Sequence, residues 1–177
     1  MTGYNMVFAG FGGQGVLFFG KVVAYAGLLD GKEVSWLPSY GPEMRGGTAN
    51  CSVCISEQAI GSPLVTSPDV LVVMSGPSFD KFIQAVAPGG KVFMDSSLVD
   101  RAIYREDISV YAIPATKLAN EERLEGLANM ILLGKMLREV QFASLKTVEA
   151  ALKKCVPANK THLLEHNLRA IKLGMET

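Results

Sequence analysis

The sequence predicts an α/β fold: an open, mainly parallel, Rossmann-like sheet with helices on both faces and a helical C-terminal third. Three observations carry that reading. An apolar run ends in a glycine cluster and passes straight into apolar residues at helical spacing, over Asn5–Leu29. Short apolar runs and amphipathic segments then alternate over the first two thirds of the chain, and helical periodicity takes over from Leu118 onward. The 177 residues, 49% of them hydrophobic, read as a single domain, 1–177, large enough to bury a core of its own.

Asn5–Ala9 reads as the first strand. Val16, Leu17, Phe19, Val22, Val23, Ala26 and Leu29 then mark a helix that Gly31 closes. Glu33–Leu37 reads as a second strand, which implies a parallel βαβ start. Ser39–Gly47 (SYGPEMRGG) has three glycines, a proline and no apolar period, and reads as a loop. Thr48–Ser56 alternates, with Ala49, Cys51, Val53 and Ile55 on one face and Asn50, Ser52, Cys54 and Ser56 on the other, and Ala59–Val65 is its expected partner. Asp69–Met74 is continuously apolar, as a strand covered on both faces is. Pro77 opens a helix through about Ala87, which Pro88-Gly89-Gly90 ends. Lys91–Asp95 and Ser109–Ile113 are further strands. The helical third is read as one long helix from Leu118 to about Val140, a second from the capping Ser144 to Cys155, and a last from Thr161 to about Gly174.

Lys plus Arg and Asp plus Glu number 17 each, and no run of like charge occurs, so nothing points to a polyanion partner and no nucleic-acid partner is expected. The start, MTGYNMVFAG, carries no basic region, and Gly10, Gly12, Gly13 and Gly15 interrupt the apolar stretch well short of a membrane span. A cytoplasmic protein with no membrane association is the expectation. Three cysteines, an odd number, read as reduced thiols. The mean hydropathy of +0.24 points to surface covered by partners or by further copies of the chain.

Gly10-Phe11-Gly12-Gly13-Gln14-Gly15 fits G-x-G-x-x-G, the spacing that brings a pyrophosphate to a helix N-terminus. A dinucleotide site also needs an acid at the end of the second strand. That place holds Trp36-Leu37-Pro38-Ser39, and Glu33 stands at the strand's other end. The turn therefore reads as close backbone packing or as a contact to some other anion. Cys51 and Cys54 have C-x-x-C spacing, but residues three apart on a strand point to opposite faces, and no second pair exists for a zinc or iron–sulfur site. His162-Leu163-Leu164-Glu165-His166 matches H-x-x-E-H and would set both imidazoles on one helix face. Only eleven residues follow His166, too few to bring a third zinc ligand from well downstream, so the segment reads as the solvated face of a terminal helix with Leu163, Leu164, Leu168 and Ile171 inward.

Four stretches in order, VFAGFGGQGV (Val7–Val16), SYGPEMRGGTANC (Ser39–Cys51), IPATKLA (Ile113–Ala119) and ANMILLG (Ala128–Gly134), together resemble the gamma subunit of 2-oxoacid:ferredoxin oxidoreductases. The first two are the specific ones, and the likeness spans nearly the whole chain. It implies membership of an assembly for CoA-dependent oxidative decarboxylation of a 2-oxoacid, with alpha and beta subunits, a ferredoxin-like delta subunit and ferredoxin as acceptor. It also implies that thiamine diphosphate, Mg2+, iron–sulfur clusters and CoA belong to the assembly, with no catalytic residue, metal or cofactor of this chain's own. On that resemblance Gly12, Gly13, Gln14 and Gly15 form an anion, CoA or subunit contact. Ser39, Tyr40, Gly41, Glu43, Arg45, Gly46 and Gly47 form a subunit interface, with Glu43 and Arg45 supplying its charged contacts. A free-standing nucleotide-binding oxidoreductase is the alternative, and a metal or redox module using Cys51 and Cys54 or His162 and His166 is a third reading.

Overall fold

The computed structural model of the chain describes residues 3–39 and 48–177. Six strands, β1 (Gly3–Phe11), β2 (Glu33–Ser39), β3 (Thr48–Ser56), β4 (Val70–Val73), β5 (Lys91–Asp95) and β6 (Ser109–Ile113), form one sheet in the order β2-β3-β1-β4-β5-β6. Six helices accompany them: α1 (Val16–Leu29), α2 (Gly76–Phe82), α3 (Ala115–Glu121), α4 (Ala128–Val140), α5 (Leu145–Cys155) and α6 (His162–Glu176). The expected α/β class and the helical C-terminal portion are what the chain forms. No helix among the described residues is long and apolar enough to cross a membrane.

The β4 strand shows how the layers arise. Val70 and Val72 turn to the core shared with α1 and the C-terminal helices, while Leu71 and Val73 turn to the opposite core, where Phe79, Ile83 and Val86 cover them. All four residues are buried, which explains their unbroken apolar run. β1 pairs in parallel with β4, β4 with β5 and β5 with β6, whereas β3 runs antiparallel to both β1 and β2. The expected parallel βαβ start is thus corrected: β2 points the same way as β1, but β3 lies between them. Both edges of β3 are taken, one by β1 and the other by β2, so Ala59–Val65 is not its partner and forms no strand.

Two helices differ from expectation. The long helix of 118–140 is two helices: α3 begins at Ala115, and after Glu121 the chain takes left-handed backbone at Arg123 (φ 56) and Gly126 (φ 81) before α4 starts at Ala128. Leu124, 2% exposed, drops into the core at this break, so the apolar spacing continues although the helix does not. The segment opened by Pro77 is α-helical only to Phe82 and tightens to a 3₁₀ turn over Ile83–Ala85. Its first turn is capped by Ser75, whose hydroxyl accepts from the Ser78 N–H.

α6 lies on α4 at a crossing made by Gly134 and Gly174. A Cβ on Gly134 would overlap the Ile171 carbonyl, and one on Gly174 the Ile131 carbonyl. Backbone meets backbone there, and this close approach holds the outermost helix to the molecule.

Candidate site at the C-terminal edge of the sheet

β1 ends at Phe11, and the turn that follows closes with the Gln14 N–H donating to the Phe11 carbonyl at 3.2 Å. Gly13 (φ 94) and Gly15 (φ 75) take left-handed backbone, and Gly15 is the N-cap of α1. The turn lies at the C-terminal edge of the parallel strands, beside the crevice between β1 and β4 where the chain's connections diverge to either side, as expected of an open α/β sheet.

Gln14 spans that crevice. Its Oε1 accepts from the Phe11 N–H at 2.6 Å, and its Nε2 donates to the Met74 carbonyl, just beyond β4, at 2.8 Å. The glycine spacing around it follows from this bracket. A Cβ on Gly10 would stand 2.5 Å from Gln14 Oε1 and 3.0 Å from Val16 Cγ1. A Cβ on Gly15 would collide with Asn129 Nδ2, which donates to the Gly15 carbonyl at 3.2 Å and so ties α4 to the start of α1. A Cβ on Gly13 would meet nothing within 4 Å.

Deeper at the same edge sits a group that sequence reasoning missed. Asp95, fully buried at the end of β5, accepts from the Ser97 N–H at 3.0 Å, the Thr116 N–H at 3.1 Å and the Thr116 hydroxyl at 2.5 Å. The carboxylate thereby holds the first turn of α3 to the sheet. The only sequence signal was its place after the apolar run KVFM, ahead of two serines. A pocket of about 230 Å³ opens beside it, lined by Gly13, Gln14, Met74, Leu98, Thr116 and Asn129 among others.

The second predicted motif reaches the same edge. Ser39 pairs with Asn50, which pairs with Ala9, and Thr48 pairs with Phe11. The loop thus leaves and re-enters the sheet beside the glycine turn. Tyr40, Gly41, Glu43, Arg45, Gly46 and Gly47 themselves lie outside the described residues. Phe11, Leu37 and Leu98 are exposed apolar side chains on this edge. Glu33 pairs with Ser56, level with Gly3, and therefore stands at the opposite edge.

Cys51 and Cys54 lie on opposite faces of β3. Cys51 is fully buried with its thiol toward the Val16 carbonyl, and burial pushes it up to about 12, against the smaller lowering effect of a hydrogen bond with Trp36. Burial also raises Cys54, and raises Cys155 to about 11. His162 and His166 are both exposed, with His166 Nδ1 within 3.2 Å of the His162 carbonyl. Among the described residues no group of three His, Cys, Asp or Glu side chains is placed to hold a metal. Leu163 corrects one expectation: it is 39% exposed, because the buried side of α6 is Asn167, Ala170, Ile171 and Gly174.

Fold and turn together make an open α/β unit whose glutamine-bracketed glycine turn stands at the C-terminal edge of the parallel strands. The chain belongs to the pyruvate ferredoxin/flavodoxin oxidoreductase family, whose profile matches residues 5–177. It is 38% identical over 171 residues to the 2-oxoglutarate synthase subunit KorC of Methanocaldococcus jannaschii, covering 95% of this chain and 90% of that one. It is also 38% identical over 169 residues to the ketoisovalerate oxidoreductase subunit VorA of Methanothermobacter thermautotrophicus, covering 95% of this chain but 35% of that one. The chain therefore spans about a third of the length of that VorA subunit. Its fold is similar to the gamma subunit of a keto/oxoacid ferredoxin oxidoreductase from Geobacter sulfurreducens, with a TM-score of 0.83, 29% identity, and 98% and 96% of the two chains covered.

Proposed function

We propose that this chain is the gamma-type subunit, as one domain over 1–177, of a multi-subunit 2-oxoacid:ferredoxin oxidoreductase that decarboxylates a 2-oxoacid oxidatively onto CoA. Alpha, beta and ferredoxin-like delta subunits are its partners, ferredoxin the acceptor, and the cytoplasm its place of work. Thiamine diphosphate, Mg2+ and the iron–sulfur clusters are held by those other subunits.

The observation that carries the reading is the bracketed turn. Gln14 satisfies Phe11 and Met74 across the crevice that a dinucleotide would enter, leaving Gly12 and Gly13 exposed beside the ends of the SYGPEMRGG loop. That arrangement favours a flat contact with another subunit or with a CoA phosphate over a nucleotide pocket, and speaks against the free-standing nucleotide-binding alternative. The relatives' lengths support it too. One unit is nearly all of KorC and a third of VorA, as expected of a domain that works against what the rest of VorA carries.

Reconstitution tests the proposal. Purified partner subunits should show 2-oxoacid- and CoA-dependent reduction of ferredoxin or a viologen dye only when this chain is added. Arg45→Ala should leave the chain folded yet lower assembly or turnover by about tens- to thousands-fold, since removing one partner of a buried charged contact costs on the order of 2–5 kcal/mol, with Arg45→Lys rescuing in part. Full activity without the chain, or wild-type assembly and turnover in Arg45→Ala, sinks the corresponding half of the reading.

A further inference from the structure

A groove of about 750 Å³ runs along the outer side of α6, lined by Leu164, Glu165, Leu168, Arg169, Lys172 and Glu122 among others. α6 spends one side on the core through Ala170, Ile171 and Gly174. On another side, Thr161, Glu165, Leu168, Lys172 and Met175 follow at spacings of four, three, four and three, the seam spacing of paired helices. Leu164, Leu168 and Met175 touch the core yet remain partly exposed. Glu165 and Lys172 are exposed and have no ion-pair partner among the described residues, whereas Arg169 is bound to Glu122 at 2.7 Å.

The order of these side chains is self-complementary. A two-fold axis crossing α6 at Leu168 sets Leu168 against Leu168 of a second copy, Glu165 against its Lys172, and Lys172 against its Glu165. A parallel pairing would instead oppose acid to acid and base to base, so the charges select the antiparallel one. We propose that α6 is a homodimer interface, at which a second copy of this chain docks antiparallel along this seam. The pairing does not depend on the subunit role proposed above, because it uses none of the residues of the glycine turn or its loop.

Sedimentation velocity on the purified full-length chain tests it, with far-UV circular dichroism to verify folding. Wild type should be a dimer. Glu165→Lys and Lys172→Glu should each weaken dimerisation by at least about tenfold, since like charges then face each other twice per dimer. Mixing the two variants should restore the dimer, because each contact between unlike chains pairs one base with one acid. A monomeric wild type, single variants that dimerise as wild type, or a mixture that stays monomeric would each overturn the proposal.

Discussion

Glycine is required at two places in this molecule, for opposite reasons. At the α4–α6 crossing, Gly134 and Gly174 are required by what already occupies the space, since a Cβ on either would overlap a carbonyl of the other helix. At the tip of the β1–α1 turn, Gly13 is required by its own backbone (φ 94), and nothing lies within 4 Å of where its Cβ would be. The first region is closed and apolar, and serves stability. The second is open at its tip and held at its base by the amides of Gln14 and Asn129, which fixes the shape of an exposed surface. A close approach in the interior is a packing device, whereas a strained turn in open space is a candidate for contact with something else.

The comparison breaks most sharply at the crossing. Gly134→Ala and Gly174→Ala should each destabilise the chain by about 3 kcal/mol, the upper part of the overpacking range. For a domain of this size that corresponds to a melting midpoint lower by roughly 6–12 °C. Calorimetry checks it, and midpoints within a degree or two of wild type would mean the helices can part without cost.

At the base of the turn the effect should be smaller. Gln14→Ala removes an acceptor from the Phe11 N–H and a donor from the Met74 carbonyl, at a cost of about 1–3 kcal/mol. Gln14→Glu keeps the acceptor but sets a carboxylate against the Met74 carbonyl, so it should be no better than alanine. Urea unfolding of the three proteins decides this, and a glutamate variant as stable as wild type would remove Nε2 from the bracket.

Much of this contrast was readable in the sequence, and the unread part has physical causes. The strand–glycine–helix order at Val7–Val16 placed the turn at the right sheet edge because local spacing alone determines it. Alternation in Thr48–Ser56 placed Cys51 and Cys54 on opposite faces, but alternation says nothing of neighbours, so the insertion of β3 between β1 and β2 was invisible. The break before α4 was hidden because Leu124 and Leu127 keep helical spacing across it. Gln14 was counted as a member of a glycine motif, when its partner at Met74 lies 60 residues away and leaves no local trace. Asp95 was missed for the same reason, its anchor Thr116 being 21 residues on.

Gly13→Ala sharpens the comparison at the tip. Left-handed backbone at a residue with a Cβ costs roughly 1–2 kcal/mol, and no clash adds to it, so the folded chain should survive. Assembly with partner subunits should fall by more than this stability loss accounts for. Equal losses in both would mean that the tip touches nothing.

The smallest effect concerns another close approach in the interior, where a Cβ on Gly20 would meet Cys51 Sγ. Packing of this kind keeps the thiol neutral, and burial pushes Cys51 from 9.0 up to about 12. Its folded value lies above its unfolded one, so the stability it contributes is full below about pH 9 and is lost as pH rises from there toward 12. The loss runs at up to about 1.4 kcal/mol per pH unit for one thiol. Cys51→Ala should therefore cost some stability at pH 7 but lose less between pH 9 and 11 than wild type does, and the two denaturation curves should converge. Cys155, raised to about 11, contributes the same trend in both proteins and cancels from the difference. If the curves instead run parallel across that range, Cys51 ionises as freely in the fold as in the unfolded chain, and the interior around Gly20 is not closed to charge.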